Sequence, residues 1–199
     1  MANKFREIVM STDLKQHYKD IQADLMKRIG VKTPMAAPKI TKVTVNMGMG
    51  VQASDKKELE RALSEMELIT GQKPIITRAR RSEANFKIRQ GWPIGVKVTL
   101  RGERMHRFLE YLLYVSLPAV REFSGLSKKS LDKQGNLSFG IPDQSVFRSI
   151  PFDQIQSIRG LDIAVTTTAF DAESGFVMLK LMGFPFKDKL AGDVDGNQE

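Results

Sequence analysis

The chain contains no cysteine. That excludes disulfides, zinc–thiolate sites and thiol nucleophiles together, and it fits a reducing compartment. Histidine is nearly absent: His17 and His106 each fall alone on a predicted helix, with no partner at ligand or triad spacing, which reads as a boundary position rather than catalysis. Long apolar runs are missing too. The longest, Tyr111 to Val120, is interrupted by Ser116 and Pro118, far short of the roughly 20 residues a membrane span needs. The first residues lack the unbroken apolar stretch of a signal peptide. No repeat, low-complexity segment, dividing linker or P-loop pattern occurs, and no paired carboxylates stand out. The segment Asp193-Val-Asp-Gly-Asn-Gln-Glu199 hints at a calcium loop, but its glycine comes too early and the final acidic ligand is missing. The expectation is a soluble, cytoplasmic protein with no catalytic residue, no metal, no cofactor and no membrane partner.

What is present is charge of one sign, gathered in one place. The 199 residues carry a formal net charge of +8. Residues 73–107 hold ten basic residues (Lys73, Arg78, Arg80, Arg81, Lys87, Arg89, Lys97, Arg101, Arg104, Arg107) against Glu83 and Glu103, while the remainder holds 21 of each sign. The whole excess therefore sits in one window, the mark of a face that meets a polyanion. A merely solvated charged face is the blander reading.

Periodicity supplies the frame. Leu14, Tyr18, Ile21, Leu25 and Ile29 predict a helix from Asp13, which can cap it, to Ile29. Lys39 to Met47 alternates as a strand, with Val43, Val45 and Met47 on one side and Lys42, Thr44 and Asn46 on the other. A helix capped by Ser54 or Asp55 follows and ends at Gly71 and Pro74. A strand from Ile75 runs into the Arg78 cluster, and another spans Ile94 to Leu100, with Lys97, Thr99 and Arg101 on one face. No helix separates these two, so they should pair as a long-looped hairpin. Further elements are a helix from Glu103 to Leu117, a surface loop over 124–136, strands at Leu137–Ile141 and Leu161–Ala169, and a last helix from Asp171 to Met182. The predicted fold class is α+β: two layers, a mostly antiparallel sheet with helices over one face, and a long basic β-hairpin loop. Residues 13–187 form a single domain, with an N-terminal extension over 1–12 and a flexible polar tail over 188–199. The sheet's other face should be free and polar, carrying Thr44, Asn46, Lys97, Thr99 and Arg101.

Three function classes compete. Gly48-Met-Gly-Val-Gln-Ala53 matches G-x-G-x-x-A after a strand and before a helix, which suggests an NADP-binding enzyme. The missing helix between the second and third strands argues against it, and a glycine turn is the plainer explanation. The window Arg78–Trp92 instead interleaves Arg78, Arg80, Arg81, Lys87 and Arg89 with Phe86 and Trp92, as a stacking and phosphate-gripping surface for RNA requires. The alternative is that Phe86 and Ile88 fold back as an apolar plug. A loop this long inside a compact domain is usually functional. An RNA chaperone is the third class.

Several blocks are familiar: Lys42-Val-Thr-Val-Asn-Met-Gly-Met-Gly50, Gly71-Gln-Lys-Pro74, Phe86-Lys-Ile-Arg-Gln-Gly91, Pro93-Ile-Gly-Val-Lys-Val-Thr-Leu-Arg-Gly-Glu-Arg104, Arg159-Gly-Leu-Asp-Ile163 and Thr166-Thr-Thr168. In this order and spacing the chain resembles, from about residue 14 to 187, the bacterial large-subunit ribosomal protein family called L-five, which binds 5S rRNA. The resemblance implies a structural constituent of the large ribosomal subunit. It would anchor 5S rRNA in the central protuberance beside large-subunit rRNA and neighbouring ribosomal proteins. It would touch P-site tRNA through the basic loop and bridge to small-subunit ribosomal protein thirteen, with 124–148 as the expected bridge region. Carried over by residue, the 5S rRNA contacts are Asn46, Met47, Gly48, Gln72, Lys73, Thr99 and Arg101. The tRNA-binding residues are Arg78, Arg80, Arg81, Lys87 and Arg89.

Overall fold

A computed structural model describes residues 14–151 and 155–187. The expected Asp13 cap, the 1–12 extension and the 188–199 tail lie outside the described residues. The element order is helix α1 (Leu14–Ile29), strand β1 (Ile40–Gly48), helix α2 (Lys56–Thr70), strands β2 (Ile75–Arg78) and β3 (Pro93–Leu100), helix α3 (Gly102–Tyr111), strands β4 (Leu137–Ile141) and β5 (Leu161–Thr167), and helix α4 (Ala172–Leu181).

The five strands form one sheet in the order β2-β3-β1-β5-β4. Every neighbouring pair is antiparallel. Strict alternation assigns the faces. Val43, Val45 and Met47 of β1, Val96, Val98 and Leu100 of β3, and Leu161, Ile163 and Val165 of β5 are buried in one hydrophobic cluster with Leu109, Leu112, Phe176 and Leu179 from the helices. This is the expected two-layer α+β domain, with the helices on one side.

Local chemistry sets the element ends. Asp55 caps α2 by accepting from the Lys57 N–H at 3.0 Å, and Gly71 closes it at φ 64°, a left-handed conformation that costs glycine little. Asp171 and Ser174 form a reciprocal capping box on α4. Beyond α3 the helix continues through a π-helical turn, Leu112–Ser116, into a last turn, Leu117–Ala119. Pro118 has no N–H and crowds the carbonyl four residues back, so the chain widens ahead of it rather than stopping at Leu117.

One expectation needs correction. β1 has antiparallel neighbours on both sides, and the segment after it is a 3-10 turn (Gly50–Ser54) before α2. There is no parallel βαβ unit to place a dinucleotide, so Gly48–Ala53 is a turn and the NADP-enzyme alternative falls. The 124–136 segment is the expected loop, with Ser124, Lys129, Asp132, Lys133 and Gln134 exposed, and it is anchored at two points. Leu126 is buried, its N–H bonds the Pro185 carbonyl at 2.7 Å, and Lys128 pairs with Glu173 of α4 at 2.9 Å.

Candidate nucleic-acid interface

The register places one residue from each of the five strands in a row across the free face: Ile75, Lys97, Asn46, Asp162 and Gly140, each paired with the next. A second row holds Thr99, Thr44, Ala164 and Ser138. At the far end, Thr77, Gly95 and Gly48 make a third. Apart from Asn46, Lys97 and Asp162, few of these side chains rise far above the backbone, so a broad ligand can approach the sheet closely. Gly95 is required for this packing: a Cβ there would lie 2.5 Å from the Met47 carbonyl oxygen.

Asn46 lies half-buried on this face, its Nδ2 donating toward Asp162 Oδ2 at 3.4 Å. That orients the amide and leaves its oxygen to accept from a ligand. Gln72, in the α2–β2 connection, donates from Nε2 to the Thr99 carbonyl at 3.2 Å, tying that turn to β3. Lys73 and Arg101 are exposed at the edge of the same region, and Gly48 ends β1 in the open. Met47 differs. Its side chain is 0% exposed in the core, so only its backbone can meet a ligand.

The second cluster is the β2–β3 connection. It is a laced ribbon rather than a slack loop. Ala79 N–H bonds the Trp92 carbonyl at 2.8 Å, Gly91 N–H bonds the Ala79 carbonyl at 2.9 Å, and Glu83 and Ile88 exchange bonds of 2.9 and 3.1 Å. Arg78 donates to the Gly91 carbonyl at 3.0 Å. Arg78, Arg80, Arg81, Lys87 and Arg89 are all exposed. Phe86 is 66% exposed, so it is no apolar plug. The tip turns through Lys87 at φ 52°.

Sequence reasoning missed three features. Asp162 puts a carboxylate on the cationic face; its period-two position in β5, between Leu161 and Ile163, was the available signal. A concavity in the ribbon lined by Glu83, Lys87, Arg89 and Trp92 was not anticipated. Nor was the buried ion cluster, in which Arg159 donates from Nη1 to Glu65 at 3.1 Å and from Nη2 to Glu58, while Arg61 meets Glu58 at 2.6 Å. Burial holds the Glu65 carboxyl above its ordinary range, against the pull of the Arg159 guanidinium. This cluster clamps the segment before β5 to α2; its partners lie 94 and 101 residues apart in the chain, beyond any local pattern. Among the described residues no group of acids and histidines could hold a metal ion, and no helix is long and apolar enough to cross a membrane.

A neutral-cored α+β domain with a low polar sheet face and a cationic ribbon beside it is a scaffold for meeting a polyanion. Comparison with known proteins agrees with that class. The family model of ribosomal protein L5 matches residues 33–89, and the model of the C-terminus of the same ribosomal family matches residues 93–186. The large ribosomal subunit protein uL5 of Colwellia psychrerythraea is 53% identical over 174 residues, 87% of this chain and 96% of that one. The large ribosomal subunit protein uL5 of a Psychrobacter species is 51% identical over 175 residues, 87% and 98% of the two chains. The chain belongs to the L5 family of ribosomal proteins. It is a structural ribosomal protein of the translation machinery in the cytoplasm, not an enzyme.

Proposed function

We propose that this protein binds 5S rRNA through the free sheet face, anchors it in the central protuberance of the large subunit, and touches P-site tRNA through the ribbon 78–90. The observation that carries the reading is the strand alternation that sets Asn46, Lys97, Thr44 and Thr99 side by side on the face opposite the helices. Lys73, Lys97 and Arg101 supply cations for the RNA backbone, while Asn46, Gln72 and Thr99 can meet base edges or 2′-hydroxyls. Each phosphate neutralised releases counterions, so log K should fall with log salt by about 0.7–0.9 per contact. Residues 13–187 act as one domain in this role. The bridge to small-subunit ribosomal protein thirteen fits the cleft of about 310 Å³ between Ala119–Arg121 and Pro142–Arg148, where Arg121 and Arg148 offer charge to a protein partner.

The test is a gel shift with 5S rRNA against an unrelated RNA of equal length. Asn46→Ala with Arg101→Ala should weaken 5S rRNA binding by about 30-fold or more, because one neutral and one charged hydrogen bond together carry about 2 kcal/mol or more. Arg80→Ala with Arg81→Ala should leave that binding intact and loosen tRNA on assembled ribosomes. Equal losses from both pairs would refute the division into two sites.

A further inference from the structure

Glu83 is the odd residue of the basic window. The other acid, Glu103, is neutralised by Arg107 one helical turn on. The Glu83 carboxylate has no ion pair or hydrogen bond among the described residues, and its backbone alone ties it to Ile88. It lines a cavity of about 530 Å³ together with Ser82, Ala84, Lys87, Ile88, Arg89 and Trp92. This is an open concavity, with every lining residue but Ile88 exposed. Trp92 is 40% exposed, and the Arg89 guanidinium stands 5.8 Å from its ring centroid. One cavity thus offers an aromatic ring with a guanidinium over it, an ammonium and a free carboxylate. A carboxylate repels phosphate, so its use at an RNA-facing site is to accept N–H donors.

We infer that this cavity takes an unpaired guanine of an RNA, stacked on Trp92 and held at its N1–H and exocyclic amine by Glu83. Guanine fits because its Watson–Crick edge presents two adjacent N–H donors, which a carboxylate accepts as a bidentate pair. Adenine presents a ring acceptor beside its amine. Uracil presents one N–H between two carbonyls, and cytosine an amine beside an acceptor. Each of them leaves part of the carboxylate facing a lone pair. Stacking on Trp92 and Arg89 is indifferent to the base, because every base has a π-face. Lys87 and Arg89 lie within the same cavity to meet the flanking phosphates. The inference rests on the proposal that the ribbon meets RNA, and it supplies that site with a ligand chemistry.

Trp92 is the chain's sole tryptophan, so its fluorescence reports directly on the cavity. The full-length protein is titrated with short single-stranded RNAs that differ only in one central base. The guanine oligonucleotide should quench Trp92 emission and bind about tenfold more tightly than the others, in line with the discrimination of a good bidentate contact. Glu83→Gln should abolish the difference between guanine and the other bases, whose own affinities should hold or rise as the carboxylate's repulsion of phosphate is removed. Trp92→Ala, followed by fluorescence anisotropy of labelled RNA, should weaken all four by roughly tenfold, and Trp92→Phe should restore most of that loss. Both positions are exposed, and unchanged thermal unfolding of the variants verifies their fold. Equal affinity for all four oligonucleotides, no quenching by any of them, or a guanine preference that survives Glu83→Gln overturns the inference. Guanine-selective quenching combined with ribosomal tRNA placement indifferent to Arg80→Ala and Arg81→Ala would leave the cavity standing and refute the tRNA assignment alone.

Discussion

Replacing Arg159 with methionine removes the cation on which a buried carboxylate depends. Arg159 is 5% exposed and Glu65 3%. Glu58 keeps Arg61 at 2.6 Å after the change and has a partly open flank. Glu65 keeps no hydrogen-bonded cation, so the loss falls on it. Removing one partner from a buried ion pair costs about 3–5 kcal/mol. A domain of this size loses about 2–4 °C of Tm per kcal/mol, so Tm should fall by roughly 6–20 °C. Converting Glu65 to leucine in the Arg159→Met background should recover most of the deficit, since an apolar pair of similar volume needs no desolvation of charge.

The pH dependence separates this account from simple loss of packing. Burial raises the Glu65 pKa in the folded protein, and Arg159 opposes the rise. Without Arg159 the folded-state value climbs further above the ordinary value of 4.5. A carboxyl with a raised folded pKa binds its proton more tightly folded than unfolded, so stability falls as pH rises through that range and returns as pH drops. The deficit of Arg159→Met should therefore be full above the variant's Glu65 pKa, and shrink as pH falls through it toward 4.5. Urea unfolding followed by circular dichroism at about pH 7 and about pH 5 measures it. A deficit below about 1 kcal/mol, or one that grows on acidification, would refute the reasoning.

Three further outcomes can be checked. Gly175→Ala should destabilise the fold by about 1–3 kcal/mol in thermal unfolding, because its Cβ would lie 2.5 Å from the Cα of Gly135, a backbone atom with no rotamer to yield. Lys97→Glu, in the middle of the free face, should weaken 5S rRNA binding and lower the salt slope by about one contact, with stability changed by less than about 0.5 kcal/mol. Asp171→Ala should cost about 1 kcal/mol at neutral pH through loss of the α4 cap. Its side-chain and backbone bonds from Ser174 hold the Asp171 carboxyl below its ordinary range; a lowered carboxyl gives its stability above the unfolded pKa and loses it as pH falls through the folded one, so that difference should fade in acid.

Much of the fold was legible because its periods are clean. β4 falls on the expected Leu137–Ile141, and β1, β3 and α2 lie within a residue of their expected ends, since period-two and period-3.6 patterns with glycine, proline and aspartate punctuation state the answer locally. The placement of Asn46, Thr44, Lys97 and Thr99 on one face followed from the same alternation. Long-range chemistry was not legible. Nothing near Arg159 in the chain announces Glu58 or Glu65, and only the folded backbone brings Glu83 and Trp92, nine residues apart, around one cavity. The failed G-x-G-x-x-A reading has the same root: the pattern describes a turn, while its meaning depends on whether the next strand runs parallel, which is a property of the sheet.

Strand β3 joins the two halves of the proposed function. Its inward residues Val96, Val98 and Leu100 are buried, while Lys97 and Thr99 face outward and Trp92 precedes it at the mouth of the ribbon. A slip of one residue in its pairing would drive Lys97 and Thr99 into the core and every valine out, so the apolar pattern that stabilises the sheet also dictates which side chains a ligand meets. Gly95 reinforces that register, because only a residue without a Cβ fits against the Met47 carbonyl there. The buried cluster, meanwhile, sets two guanidiniums, Arg61 and Arg159, against two carboxylates, Glu58 and Glu65. Paired in this way, it contributes no net charge. The attraction for a polyanion is therefore carried by the hairpin and its flanks, where cations are exposed and the fold's stability does not depend on their being paired.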